Sequence, residues 1–138
     1  MTVYAYTDGA SRGNPGESGI GVILKDERGE VIFSGAGYIG TTTNNVAEYR
    51  ALLVCLKKAK DLGCSELIIH SDSELMVKQL QGKYRVKNAH LRVFFDEARK
   101  MMTTGPFHCT IRHVERALNK DADLLANIGI DSKKPFDG

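Results

Sequence analysis

No apolar run in this chain approaches the ~20 residues that a membrane-spanning helix needs. The opening residues MTVYAYTDG also lack the basic segment followed by an apolar one that marks an export signal. The expectation is a cytoplasmic protein with no membrane partner. Cysteine is scarce: Cys55, Cys64 and Cys109 are scattered, odd in number and never form a C-x-x-C pair, which argues against a disulfide framework and a zinc site. They read as small core or near-core residues. Excess charge is missing as well, with a formal net of +2. Any affinity for a polyanion must therefore come from local clusters. The most concentrated basic stretch, GKYRVKN, sets Lys83, Arg85 and Lys87 at alternate positions and reads equally well as a solvated loop. The glycine-studded TDGASRGNPG follows a strand-like run as a phosphate-binding loop would, yet no Gly-Lys-Ser/Thr completes it.

What is present is an ordinary globular composition, 42% hydrophobic and 26% charged over 138 residues, the size of one domain with a single core. VYAYTD reads as a strand because Val, Tyr and Thr suit a pleated surface. GIGVILKDERGEVIFSGAGYIG reads as a hairpin turning at Asp26 to Gly29. From Asn44 the period becomes helical, with Leu52, Cys55, Ala59 and Leu62 on one stripe and Gly63 as the stop. ELIIHS is a short apolar run of the kind found in buried central strands. Two helices follow, SELMVKQLQG and NAHLRVFFDEARKMM, then the strand FHCTIRHV and the helix NKDADLLANIG. The order β-β-β-α-β-α-α-β-α predicts an α/β fold: a three-strand antiparallel meander extended by right-handed crossovers into a mixed five-stranded sheet with helices on its faces. One domain over 1–130 is expected, with 131–138 a disordered tail holding nothing apolar beyond Phe136. No apolar stripe is left over, so a monomer is expected.

Four acids occupy awkward positions. Asp8 ends the first strand in phase with Tyr4 and Tyr6, and could be a simple Asp-Gly turn. Glu48 sits in the first turn of the long helix but on its apolar stripe; Asn45-Val-Ala-Glu48 also resembles a capping box. Asp72 closes ELIIHS and opens the next helix, with Ser71-Asp-Ser-Glu74 again a passable capping box. Strand carboxyl ends are nevertheless where ligands gather in open α/β sheets. Asp123 adjoins Leu124, Leu125 and Ala126 on the last helix and faces inward more readily than Asp121. The topology brings all four to one sheet edge, where clustered carboxylates repel one another. Hard divalent cations with oxygen ligands relieve that repulsion, and a pair of them can serve a phosphoryl displacement.

TDGASRGNPG, TNNVAEYRAL, SDSELMVKQL and ERALNKDADLLAN resemble, in order and spacing, the four signature segments of the type 1 ribonuclease H family. The resemblance covers residues 2 to 130 and extends to the nuclease domain of reverse transcriptases. It implies that Asp8, Glu48, Asp72 and Asp123 hold two Mg²⁺ or Mn²⁺ ions at the RNA strand of an RNA–DNA hybrid, leaving 5′-phosphate and 3′-hydroxyl ends. No Ser/His/Asp set and no cysteine nucleophile competes for that role. It further implies hybrid contacts by Gly9, Ser11, Asn44 and Asn45 in the minor groove, and by Asn14 and Thr43 at a DNA phosphate. Arg12, Lys83, Arg85 and Lys87 complete the implied substrate-binding set. Such an enzyme reads 2′-hydroxyls and groove shape rather than base sequence.

The chain departs from the family pattern in several places. Many bacterial members carry a catalytic histidine on a flexible loop before the last aspartate; here RHVERALNKD is compact and offers either His113 or Arg116. The basic protrusion is reduced to GKYRVKN, which predicts weaker or more salt-sensitive binding. Tryptophan is absent, so stacking against the DNA strand falls to Tyr84 or another aromatic, and Glu74 stands where many members have a glutamine. A nuclease of this fold acting on double-stranded RNA or RNA–DNA junctions, and a non-catalytic hybrid-binding module, remain as alternatives.

Overall fold

The computed structural model describes residues 1–136. Its elements are β1 (Thr2–Gly13), β2 (Gly16–Lys25), β3 (Val31–Thr42), α1 (Asn44–Leu62), β4 (Glu66–Ser71), α2 (Glu74–Leu80), α3 (Ala89–Thr104), β5 (His108–His113) and α4 (Lys120–Ser132), with a short 3₁₀ turn at Arg116–Leu118. The expected order is present, and the strands lie as β3-β2-β1-β4-β5 in one mixed sheet.

Alternation along β1 divides its side chains between two layers. Val3 and Ala5 are fully buried with Val22, Leu24, Leu67 and Ile69 beneath Leu52, Cys55, Leu56 and Ala59 of α1. The other face of β2 meets α4 so closely that a Cβ on Gly21 would overlap the Ala122 carbonyl oxygen. A side chain there would force the helix off the sheet, so the absence of one sets the height of α4. α3 packs on α1 and β5.

Register places the carboxyl ends of two strands side by side. β1 and β4 run parallel and their pairing stops at Thr7 opposite Ser71. Asp8 and Asp72 are therefore the next residue on each of two neighbouring strands, at the edge where binding sites of parallel sheets form.

Several expectations are corrected. DGASRG is not a loop: β1 continues antiparallel to β2 as far as Gly13 opposite Gly16, so Asp8 lies within a long strand and not in an Asp-Gly turn. Leu62 leaves the apolar stripe of α1 and is 39% exposed, one residue before the left-handed Gly63 that ends the helix. The tail is anchored: α4 runs to Ser132, the Lys134 carbonyl accepts from the Tyr38 N–H at 2.7 Å, and Phe136 packs against the core near Phe33. Gly35 and Gly37 form the cradle, because a Cβ on either would overlap atoms of Phe136. The expected disorder of residues 131–136 is thus replaced by ordered structure, whereas residues 137–138 lie outside the described residues.

Phe136→Ala should lower the unfolding free energy by about 1–2 kcal/mol, the value of part-burying one aromatic side chain. The check is the urea midpoint at unchanged m-value. A wild-type midpoint would mean that the anchored tail contributes nothing.

Candidate active site

Beyond the Thr7–Ser71 pair the sheet opens into a cavity of about 210 Å³ lined by Asp8, Gly9, Ala10, Ser11, Asn44, Glu48, Asp72, Arg116 and Asp123. Each acid arrives from a different element. Asp8 extends from β1, Asp72 from the end of β4, Glu48 from the first turns of α1 and Asp123 from the first turn of α4.

Glu48 owes its place to a close approach of strand and helix. A Cβ on Gly9 would overlap the Ala47 carbonyl carbon, so only glycine lets α1 come this near to β1. The Gly9 N–H then donates to Glu48 Oε1 at 2.9 Å in a buried hydrogen bond. The capping-box reading of Glu48 is accordingly replaced, since Thr43 caps α1 by accepting from the Val46 N–H. At α2 the cap is Ser73, which leaves Asp72 free of that duty.

Oxygens of Asp8, Glu48 and Asp72 all lie within 4.8 Å of one another. Asp123 lines the same cavity without joining that tight group. Asp8 is 4% exposed and Glu48 3%. Burial pushes the Asp8 carboxyl up to about 10, helped by the charges of Glu48 and Asp72 and by hydrogen bonding toward Asp123. Burial also raises Glu48, to about 8, while the Gly9 N–H and the Arg116 charge act in the opposite direction. Burial and mutual repulsion thus favour the protonated form of both neighbouring carboxyls, and positive charge brought among them would favour the ionised form. An all-oxygen donor set of this kind suits Mg²⁺ or Mn²⁺ and not the sulfur- and nitrogen-seeking metals.

The structure separates the two residues offered in place of a loop histidine. Arg116 lines the cavity, at the start of the 3₁₀ turn that leads into α4. His113 ends β5 opposite Ser71, is exposed, and does not line the cavity.

Most of the remaining candidates disperse over three cavities, with Arg12 and Lys83 outside them. Gly9, Ser11 and Asn44 line the carboxylate cavity; the Ser11 hydroxyl donates to the Thr42 carbonyl at 2.9 Å, tying β1 to the end of β3. Asn14, Thr43 and Asn45 line a neighbouring cavity of about 190 Å³ with Asn88 and His90, where Asn14 Oδ1 accepts from the Asn44 N–H at 3.2 Å. Arg85 and Lys87 line a third, of about 540 Å³, together with Tyr84; Lys83 does not. Arg12 is drawn away from these cavities and pairs with Asp131 at 2.6 Å on the exposed side of α4.

Sequence reasoning missed Arg92 and Arg99, which join Arg85 and Lys87 around the third cavity and both lie over the Phe95 ring. Their spacing around Phe95 on one helix face was the available signal. Asn119, buried between Arg116 and Asp123, was also missed.

A family model described as reverse transcriptase-like matches residues 6–129. Ribonuclease HI of Halobacterium salinarum is 43% identical over 94% of this chain and 64% of its own length. The chain spans 36% of a mycobacterial bifunctional protein that it matches at 38% identity. Ribonuclease H of Methylococcus capsulatus is 35% identical, with 94% of this chain and 90% of that relative covered. Among solved structures, RNase H1 of Halobacterium salinarum superposes with a TM-score of 0.90 at 41% identity, covering 96% of this chain and 99% of that one. LC11-RNase H1, solved in complex with an RNA/DNA hybrid, gives 0.89 at 40% identity over 94% and 97%. With its mixed sheet, its carboxylates at the parallel strand ends and these matches along nearly its whole length, the chain belongs to the ribonuclease H family.

Proposed function

We propose that this chain is a divalent-cation-dependent endoribonuclease that cuts the RNA strand of RNA–DNA hybrids, leaving 5′-phosphate and 3′-hydroxyl ends. The observation that carries the reading is the oxygen cluster of Asp8, Glu48 and Asp72, with Asp123 on the same cavity wall and Arg116 as the one cationic side chain among the described residues that line it. These four acids would hold two Mg²⁺ or Mn²⁺ ions. Bound there, such ions supply positive charge at the attacking and leaving oxygens of a phosphoryl displacement.

The chain's own groups prepare the site. The Gly9 N–H fixes one oxygen of Glu48 and leaves the other for the cavity. Arg116 offers charge to the scissile phosphate and cannot shuttle a proton to the leaving 3′-oxygen, because a guanidinium stays protonated. Gly9, Ser11, Asn44 and Asn45 are suited to a minor groove rich in 2′-hydroxyls, and Asn14 with Thr43 to a phosphate of the DNA strand. Arg85 and Lys87, with Lys83 nearby, suit the duplex backbone. The hybrid-bound relative at 40% identity supports that choice of substrate.

The deciding experiment is cleavage of a labelled RNA–DNA hybrid, an RNA duplex and a chimeric duplex with Mg²⁺, Mn²⁺ or EDTA. Cutting confined to the hybrid's RNA strand, lost in EDTA and reduced at least about a hundredfold in Asp72→Asn, is the expected result. Faster cutting of the RNA or chimeric duplex would reassign the substrate, and cutting that survives EDTA would remove the cations from the reaction. Arg116→Ala should lower kcat about tenfold or more, with Arg116→Lys retaining part of it as a point charge. Unchanged kcat in Arg116→Ala would take the arginine out of the reaction.

The raised carboxyls also link stability to pH. Both bind protons more tightly folded than unfolded, so between the ordinary carboxyl value of each group and its raised folded value the unfolded chain holds fewer protons and stability falls as pH rises. In EDTA the wild type should lose more stability than Asp8→Asn between about pH 5 and about pH 8. Saturating Mg²⁺ should flatten the wild-type profile. Parallel profiles for the two proteins in EDTA would show that Asp8 is not destabilised by its surroundings.

A further inference from the structure

Asn119 stands between the 3₁₀ turn and α4, at the position that normally caps a helix with its side chain. Here the side chain makes no capping bond. Its amide instead reaches across to β1 and donates to the Thr7 carbonyl at 2.9 Å in a buried hydrogen bond. Thr7 is the last residue of β1 paired to β4 and the one immediately before Asp8. The backbone of Asn119 holds the other two elements of the site. Its N–H donates to the Arg116 carbonyl at 2.9 Å, and its carbonyl accepts from the Asp123 N–H at 3.1 Å. One residue is therefore bonded to the strand that carries Asp8, the turn that carries Arg116 and the helix that carries Asp123.

The arrangement has a cost. Asn119 is 2% exposed, and its Oδ1 is buried without a hydrogen-bond partner among the described residues, as is Thr7 Oγ1. A buried unpaired acceptor is destabilising, and a residue serving only the helix or the core would avoid one. The amide bond to Thr7 also joins segments 112 residues apart. Asp8 and Asp123 sit on separate elements, and once both are ionised their carboxylates repel each other.

We propose that Asn119 is a positioning residue that sets the distance between Asp8 and Asp123 through its hydrogen bond to the Thr7 carbonyl. The inference rests on the reading of these acids as a divalent-cation site. By fixing one wall of the cavity against the other, Asn119 preorganises the carboxylates before any ion enters. It acts through the acids and does not itself touch substrate.

The test compares Asn119→Ala and Asn119→Leu with the wild type by calorimetric Mn²⁺ titration without nucleic acid, by kcat and KM on a labelled hybrid, and by thermal melting. A leucine side chain has the same number and branching of heavy atoms as asparagine, though its methyl groups are bulkier, and the substitution removes the orphaned oxygen along with the donor. A residue serving only packing would therefore tolerate leucine with site properties intact. The expected result for both variants is Mn²⁺ binding weakened about tenfold or more and a matching fall in kcat, the size usual for lost supports of metal ligands. KM for the hybrid should stay unchanged. Wild-type Mn²⁺ affinity and kcat in both variants, whatever their melting temperatures, would overturn the proposal; so would failure of both to fold, which would assign Asn119 to the fold alone. Wild-type protein that binds Mn²⁺ without cutting the hybrid would sink the functional reading and leave the Mn²⁺ comparison of Asn119 standing. Wild-type protein that takes up no Mn²⁺ would sink both.

Discussion

Three carboxylates within 4.8 Å of one another, two of them buried, cannot all ionise freely without positive charge among them. The architecture around the cavity is organised by that constraint. Parallel pairing that ends at Thr7 and Ser71 delivers Asp8 and Asp72 together, and a strand glycine lets α1 approach until Glu48 reaches its backbone N–H. α4 is held low over β2 because Gly21 has no side chain to lift it, and that brings Asp123 to the same opening. The apolar core beneath, from Val3 and Ala5 to Leu52 and Leu56, supplies the stability that keeps these groups close against their repulsion.

Much of this was legible in the sequence because periodicity reports burial directly. The change from alternation to helical spacing at Asn44, and the short apolar run ELIIHS, located α1 and β4 closely. The acids were legible from position, Glu48 on the apolar stripe of α1 and Asp72 at the carboxyl end of β4, and as a set from the resemblance of the four segments to the ribonuclease H family. Other features depend on partners far away in the chain. DGASRG looks like a loop because glycine and serine favour turns, yet cross-strand pairing with β2 extends it to Gly13. Local sequence at Asn45 to Glu48 spells a cap, and only the tertiary contact with Gly9 shows where the carboxylate is bonded. Phe136 looked stranded in a polar tail because its cradle, Gly35 and Gly37, lies on a strand far earlier in the chain. Arg12 reads as a basic residue on a binding loop until Asp131 is found beside it.

Charge is segregated in a way that the near-zero net value conceals. The carboxylate cavity holds one arginine, whereas Arg85, Lys87, Arg92 and Arg99 gather around a separate cavity in which Tyr84 and Phe95 supply the aromatic surface. A polyanion attracted to the second region is repelled by the first unless the acids there are neutralised. On the proposed function, segregation of this kind would separate holding a duplex from reacting with it, and only the second would require cations.

The two buried carboxyls are not equivalent within that scheme. Glu48 is as buried as Asp8 and is raised by burial and by the Asp72 and Asp123 charges, but the Gly9 N–H and Arg116 both favour its charged form. Asp8 is raised by burial and by the charges of Glu48, Asp72 and Asp123 alike, with no donor set against them. The Gly9 N–H and Arg116 thus act on Glu48, whereas every charge acting on Asp8 is that of another acid. Placed in the middle of the sheet, next to the residue whose carbonyl Asn119 holds, Asp8 ties the backbone geometry of the cavity directly to its electrostatics.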